Sequence, residues 1–371
     1  MADQTHGTKG LSLTWLAVLP VILAAVLTGF MGIPYAIPPV GERRFRLAEP
    51  VSMSNETVEA YYLGPRCPGK QLVPFLKDPI LGPDYEPEDC LTVNIWRKKG
   101  HSPSKGKLPV AVLIPGGAFN RGGARMHNSH TMLAFSEEPY IAVSIQYRIG
   151  VFGGLNTELT AKEGLLNLGL EDIYVALEWV QENIGAFGGD ADDVTIMGLS
   201  AAAHGIGHLI MDINQPKKLF HKAIMDSGAH TARAVHPPNA ELNTRHFCEL
   251  LDLAPCSHFK DLVDPEILAC LRRLPSETVD NAGKEVFARS DPSMRWAWQP
   301  VIDPNAVSGR FSHRPDWESF DGGKGKTMVL GLGNDERAGG TGAGEAATLL
   351  DFCWGEEQCE FWWRVSSTWE D

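Results

Sequence analysis

The stretch "VTIMGLSAAAHGIG", residues 194–207, constrains this chain more than any other. A short apolar run ends at Gly-Leu-Ser, and small residues follow at once. That order suits a strand that turns sharply into a closely packed helix. A serine at such a turn sits on a strained backbone that pushes its Oγ clear of the sheet. Gly198 and Ala202, two before and two after Ser200, keep strand and helix from colliding. The serine's own N–H then lies at a helix N-terminus, where the partial positive charge favours an anion. Taken alone, the stretch reads more readily as a small-residue turn that only lets a helix pack tightly, because such matches are common by chance. Its surroundings have to decide.

Four apolar runs read as buried strands: Pro109–Ile114, Tyr140–Tyr147, Val194–Met197 and Thr327–Leu332. Near-continuous hydrophobicity is the mark of a strand covered on both faces. Between the second and third, Ile173, Ala176, Leu177, Val180 and Ile184 recur at helical spacing, and Gly188-Gly189 ends that pattern. Strand, helix, strand implies a right-handed parallel crossover. A further apolar stretch, Ala223–Met225, follows the helix after Ser200. The alternation predicts an α/β fold with a mostly parallel central sheet and helices on both faces. Residues 231–300 are less regular and read as a cap or insertion. Residues 337–371 show no clear element.

In that setting two further features gain meaning. Acyl transfer needs donors aimed at the oxygen of a tetrahedral intermediate. "LIPGGAFNRGG", residues 113–123, directly follows the first buried strand, and Gly116 and Gly117 let its backbone approach a ligand. A triad also needs an acid after a later strand. Asp335 and Glu336 follow Thr327–Leu332, so nucleophile and acid come in the chain order this fold uses. Alone, the first is a glycine turn and the second a solvated loop.

Composition sets the context. A net charge of −13 argues against nucleic acid, whose phosphates would repel the chain. The seven cysteines show no C-x-x-C spacing, and no metal site is expected. Wide spacing and an odd number fit a disulfide-bonded secretory protein with one thiol left over; buried cytosolic thiols are the alternative. "LSLTWLAVLPVILAAVLTGF", Leu11–Phe30, is apolar and uncharged. It is long enough to span a bilayer and also resembles a signal-peptide core. Residues 1–31 are therefore read as signal peptide or membrane anchor, with Asn55 as the one glycosylation sequon.

Several longer stretches together resemble the type-B carboxylesterases, the α/β-hydrolase group that includes cholinesterases and fungal lipases. "GIPYAIPPVGERRFR", "EDCLTVNIW", "QYRIGVFGGL", "LEDIYVALEWVQENIGAFGGDADDVTIMGLSAA", "LFHKAIMDSGA" and "PVIDP" follow the family's order from Gly32 to Glu336. The resemblance implies an α/β-hydrolase domain over 32–336 that hydrolyses a small-molecule or lipid ester without cofactor. It implies Ser200 as nucleophile, Glu336 as triad acid, and Gly117, Ala118 and Ala201 as oxyanion donors. Gly116 and Gly198 support them, and Ser227 stands behind the acid. It pairs Cys67 with Cys90 and Cys256 with Cys270, and Arg44 with Glu88 and Arg148 with Asp172.

The departures from the family pattern are as specific. Leu199 replaces the usual glutamate before the serine. Ala202 replaces a glycine, and its extra methyl is expected to cost geometry where strand and helix crowd. Gln146, Gly154 and Arg337 also differ. No tryptophan lies between Cys67 and Cys90, which argues against a cholinesterase. The family's histidine comes well after the acid, yet all twelve histidines here precede Glu336. His204, one turn beyond Ser200, points along the helix rather than at Oγ. The family's N-terminal strands and last strands and helices have no counterpart either, which suggests a truncated or misjoined gene product. Three readings follow: an ester hydrolase with at most trace activity, an inactive binding module, or a fragment that does not fold stably.

Overall fold

The apolar runs assemble into one mixed sheet of order β1-β2-β4-β3-β5-β6. In the computed structural model its strands are β1 Leu27–Pro34, β2 Thr92–Lys98, β3 Leu108–Ile114, β4 Ile141–Ile145, β5 Gly189–Leu199 and β6 Lys222–Asp226. The structure describes residues 26–52, 57–70, 86–126, 129–212, 217–229, 236–290, 296–302, 326–332 and 345–351. β1 and β2 pair antiparallel, as do β2 and β4; β4, β3, β5 and β6 run parallel. The parallel part needs crossovers, and the helix α2, Leu168–Asn183, supplies the one from β4 to β5. Its buried residues include Ile173, Ala176, Leu177 and Val180, the apolar stripe expected from their spacing. A 3-10 turn, Ile184–Phe187, and the left-handed Gly188 then close it.

All five residues of β4 are buried. Burying one such Ile or Val side chain stabilises by about 1.5–3 kcal/mol. The first helix, α1 Ser129–Phe135, and α3, Ala201–Met211, complete the labelled elements around the sheet.

The segment read as an irregular cap is largely helical. It forms α4 Glu241–Leu253, α5 Glu266–Arg273 and α6 Ser276–Ser290. Their apolar faces, with Phe247, Leu250, Ile267, Leu271, Val279 and Phe287, make a second core against Val151, Phe152, Leu155 and Leu159. Pro255, Pro265 and Pro275 break the sequence into pieces too short for a long periodic pattern, which is why it looked irregular.

The two disulfides join Cys67 to Cys90 and Cys256 to Cys270, and Cys248 is a free thiol. Cys353 and Cys359 lie outside the described residues, as does Asn55. Both buried ion pairs form. Arg44 meets Glu88 through two bonds of 2.8 and 2.5 Å. Arg148 meets Asp172 through Nε and Nη2 at 2.8 and 2.6 Å.

Two boundaries differ from the sequence reading. The division placed between residues 31 and 32 falls inside β1, so the end of the apolar run belongs to the sheet. Residues 1–25 are outside the described set; among the described residues no helix is long and apolar enough to cross a membrane. The run Thr327–Leu332 does form a strand, β7 Lys326–Leu332, but it pairs antiparallel with β8, Glu345–Asp351, in a separate two-stranded sheet. The stretch beyond 337 therefore holds one element the sequence pattern did not suggest. This hairpin belongs to a second unit, Val307–Asp371, distinct from Met1–Ala306.

Candidate active site

Ser200 ends β5 and caps α3 with φ 58° and ψ −120°, a conformation that costs an ordinary residue about 1–3 kcal/mol. Three contacts hold it there. Its N–H donates to the Asp226 carbonyl at 2.8 Å, and its carbonyl accepts from the His204 N–H at 3.0 Å. Gly198 faces the helix so closely that a Cβ on it would lie 2.6 Å from the Ala202 methyl. The extra methyl of Ala202 therefore fits because position 198 has no side chain. The Ser200 hydroxyl makes no capping hydrogen bond to α3. The Ala201 N–H opens α3 and has no intrahelical acceptor.

The loop after β3 lies directly against this elbow. A Cβ on Gly116 would sit 2.1 Å from the Leu199 carbonyl oxygen, so only glycine allows the approach. Gly117, Ala118 and Phe119 follow with φ of 127°, 55° and 58°. Such a run of positive φ survives only where the surroundings over-determine it. Here the carbonyls do so. Pro115 accepts from Tyr147 Oη at 2.8 Å. Gly117 accepts from the N–H groups of Asn120 and Arg121 at 3.0 and 2.9 Å, and Phe119 from the Gly150 N–H at 2.7 Å. A trans peptide points its N–H opposite to its carbonyl, so fixing the Gly117 carbonyl also aims the Ala118 N–H. Gly117, Ala118 and Ala201 thus belong to two backbone segments packed on each other at Ser200.

The other side of Ser200 is more open. Ser227, with φ 54°, follows β6; its exposed hydroxyl donates to Asp226 at 3.3 Å. Asp335, Glu336 and Arg337 lie outside the described residues. His204 is buried, and its Nδ1 is 2.7 Å from the Ala229 carbonyl. That contact engages the ring with the loop after β6, away from a role at Oγ. Leu199 is 41% exposed, an apolar side chain beside Ser200.

Sequence reasoning missed several supporting groups. Gln146, noted only as a departure, ties two loops: its Oε1 accepts from the Ala124 N–H and its Nε2 donates to the Pro65 carbonyl, both at 3.0 Å. Gly154 admits the Trp298 carbonyl, which a Cβ there would meet at 2.3 Å. Asn120 and Gln299 both reach the Ala118 carbonyl. Nothing in local pattern marks these residues, because their partners are distant in sequence. Among the described residues no group of His, Cys, Asp and Glu could hold a metal ion.

The carboxylesterase family model matches residues 24–339. Secreted lipase 4 of Gibberella zeae is 33% identical, over 83% of this chain and 56% of its own length. Para-nitrobenzyl esterase of Bacillus subtilis is 33% identical, over 82% of this chain and 58% of its own. A solved PNB esterase structure superposes with a TM-score of 0.61 at 34% identity, over 75% of this chain and 54% of that one. The chain thus spans a little over half the length of these relatives.

Proposed function

Since the chain belongs to the carboxylesterase family, we propose that it acts on carboxylic esters through an acyl-serine at Ser200. The observation that carries this reading is the packing of Gly116 against the Leu199 carbonyl, which brings the oxyanion loop to the serine. Ser200 Oγ attacks the ester carbonyl carbon and loses its proton to a base. The N–H groups of Gly117, Ala118 and Ala201 hold the oxygen of the tetrahedral intermediate. The alcohol leaves with a proton, and water then attacks the acyl-serine to release the acid. By family resemblance Glu336 has the part of orienting such a base and Ser227 a supporting part.

Residues 337–371 contain no histidine, so in the 371-residue chain the proton passes to solvent or buffer. Triad members act as a unit, and turnover is expected to be lower by about 10⁴–10⁶ than with a histidine in place. A second reading is a binding module that holds esters without turning them over. The two disulfides and the apolar residues 11–25, ahead of β1, support a secretory route, with that stretch as signal or anchor. Hydrolysis of a short-chain nitrophenyl ester by the purified chain, beside Ser200→Ala, separates the readings. Slow turnover lost in the variant supports the hydrolase; equal background in both, with a folded protein, supports the binding module.

A further inference from the structure

Asn120 and Gln299 sit 179 positions apart, yet their side-chain amides converge on the same two carbonyl oxygens. Asn120 Nδ2 donates to Ala118 O and to Ala297 O, both at 2.9 Å. Gln299 Nε2 donates to Ala118 O at 2.9 Å and to Ala297 O at 3.1 Å. Each amide has two N–H donors and each carbonyl two lone pairs, so the four bonds use every donor and acceptor that faces inward. Turning either amide over would set its oxygen against two carbonyl oxygens, so the network fixes both orientations. Asn120 is buried and Gln299 is half-buried.

From this we infer that Asn120 and Gln299 are positioning residues that hold the oxyanion loop in its working shape. The inference rests on the reading of the Ala118 N–H as an oxyanion donor. That N–H lies between two peptide planes. The plane before it is fixed through the Gly117 carbonyl by the N–H groups of Asn120 and Arg121. The plane after it is fixed through the Ala118 carbonyl by the two amides. With both planes held, Ala118 cannot leave φ 55° for the ordinary region without breaking the square. The amides therefore keep the donor aimed before any substrate arrives. They also anchor the loop to residues 296–301, a segment remote in sequence.

The test uses the full chain with Gln299→Met, which keeps length and removes both donors, and Gln299→Glu. Two quantities are read: amide hydrogen exchange in the 116–121 segment, and kcat and KM for a short-chain nitrophenyl ester. Without a base, residual turnover comes mainly from the oxyanion hole and binding, so kcat reports on the hole. Gln299→Met is expected to lower kcat about tenfold with KM within about twofold, since losing an oxyanion donor outright costs about 10²–10³. Exchange in 116–121 should quicken about tenfold while β4 keeps its protection. Gln299→Glu should be worse at about pH 8, where its carboxylate faces two carbonyls, and should recover towards about pH 5 as protonation restores one donor.

Wild-type kcat and exchange in Gln299→Met would overturn the inference. So would a fall in protection across β4 as well as the loop, because that marks a global packing role. A pH-independent loss in Gln299→Glu counts against it too. If the unaltered chain shows no Ser200-dependent turnover, the reading of the site fails instead, and the exchange rates still decide whether the amides hold the loop.

Discussion

On one flank of Ser200, the carbonyls of Pro115, Gly117, Ala118 and Phe119 are all taken up by hydrogen bonds. On the other flank, β6 lies at the end of the six-stranded sheet with Ile224 53% and Met225 40% exposed, and Ser227 exposed beyond it. The loop has no regular structure, yet it is the more firmly determined of the two. The strand is regular and hydrogen-bonded to β5, yet its outer face is open. Fixing a catalytic backbone depends on where its polar groups end, rather than on whether it is a strand or a loop. The flank formed by the loop after β3 is closed by partners within 26–301. The β6 flank draws nothing comparable from the described residues.

Breaking the support beneath the closed flank should have the largest effect. Arg148 pairs with Asp172, and its Nη1 also donates to the Arg46 carbonyl at 2.7 Å. Arg148→Met leaves Asp172 charged and buried with no cation, held only by the residue 148 backbone N–H at 3.0 Å, so a loss of about 3–5 kcal/mol is expected. Urea denaturation measures it; a change below about 1 kcal/mol would mean the pair is dispensable.

Gly116→Ala attacks the contact between the flanks and the elbow. Its methyl would clash with the Leu199 carbonyl. Overpacking of this kind costs about 1–3 kcal/mol. Displacing the donors should also lower residual kcat by about 10²-fold. Steady-state kinetics on the folded variant checks this, and an unchanged kcat would show that the loop need not touch the elbow.

Acid should weaken the second core. Burial, with a smaller contribution from Arg245, lowers the His246 pKa from its ordinary 6.5 to about 4. Unfolded, the ring binds a proton near 6.5; folded, it resists until about 4. The unfolded chain thus binds more protons between these values, and stability falls as pH drops through that window. A shift of this size corresponds to about 1–3 kcal/mol. Comparing the wild type with His246→Gln at pH 7 and pH 4 isolates it. A difference that does not change with pH would contradict the assignment.

The open flank should be the least sensitive. Ile224→Lys replaces an exposed side chain and should change stability by no more than about 0.5 kcal/mol. A loss above about 2 kcal/mol would mean that the outer face of β6 is covered in solution.

Much of the closed flank could be read from the sequence, because its determinants are local. Gly198, Ser200 and Ala202 announce the elbow through residue size alone, and the apolar runs announce β3, β4 and β5. β1 was hidden, since an apolar strand that continues an apolar leader looks like part of it. β2 stood out only through family likeness. The amide square could not be seen at all: it joins Asn120 to Gln299, and side-chain amides carry no periodic signal. The helices α4 to α6 were obscured by prolines and by many charged residues on their outer faces.

The most direct test of the account is nitrophenyl ester hydrolysis by the wild-type chain and Ser200→Ala, each with and without added imidazole. The site is held to possess nucleophile and oxyanion donors and to be slow for want of a base. Imidazole should then raise wild-type turnover in proportion to its concentration, beyond the rise seen with Ser200→Ala. Equal responses in the two proteins would contradict the account, because Ser200 would then be no latent nucleophile.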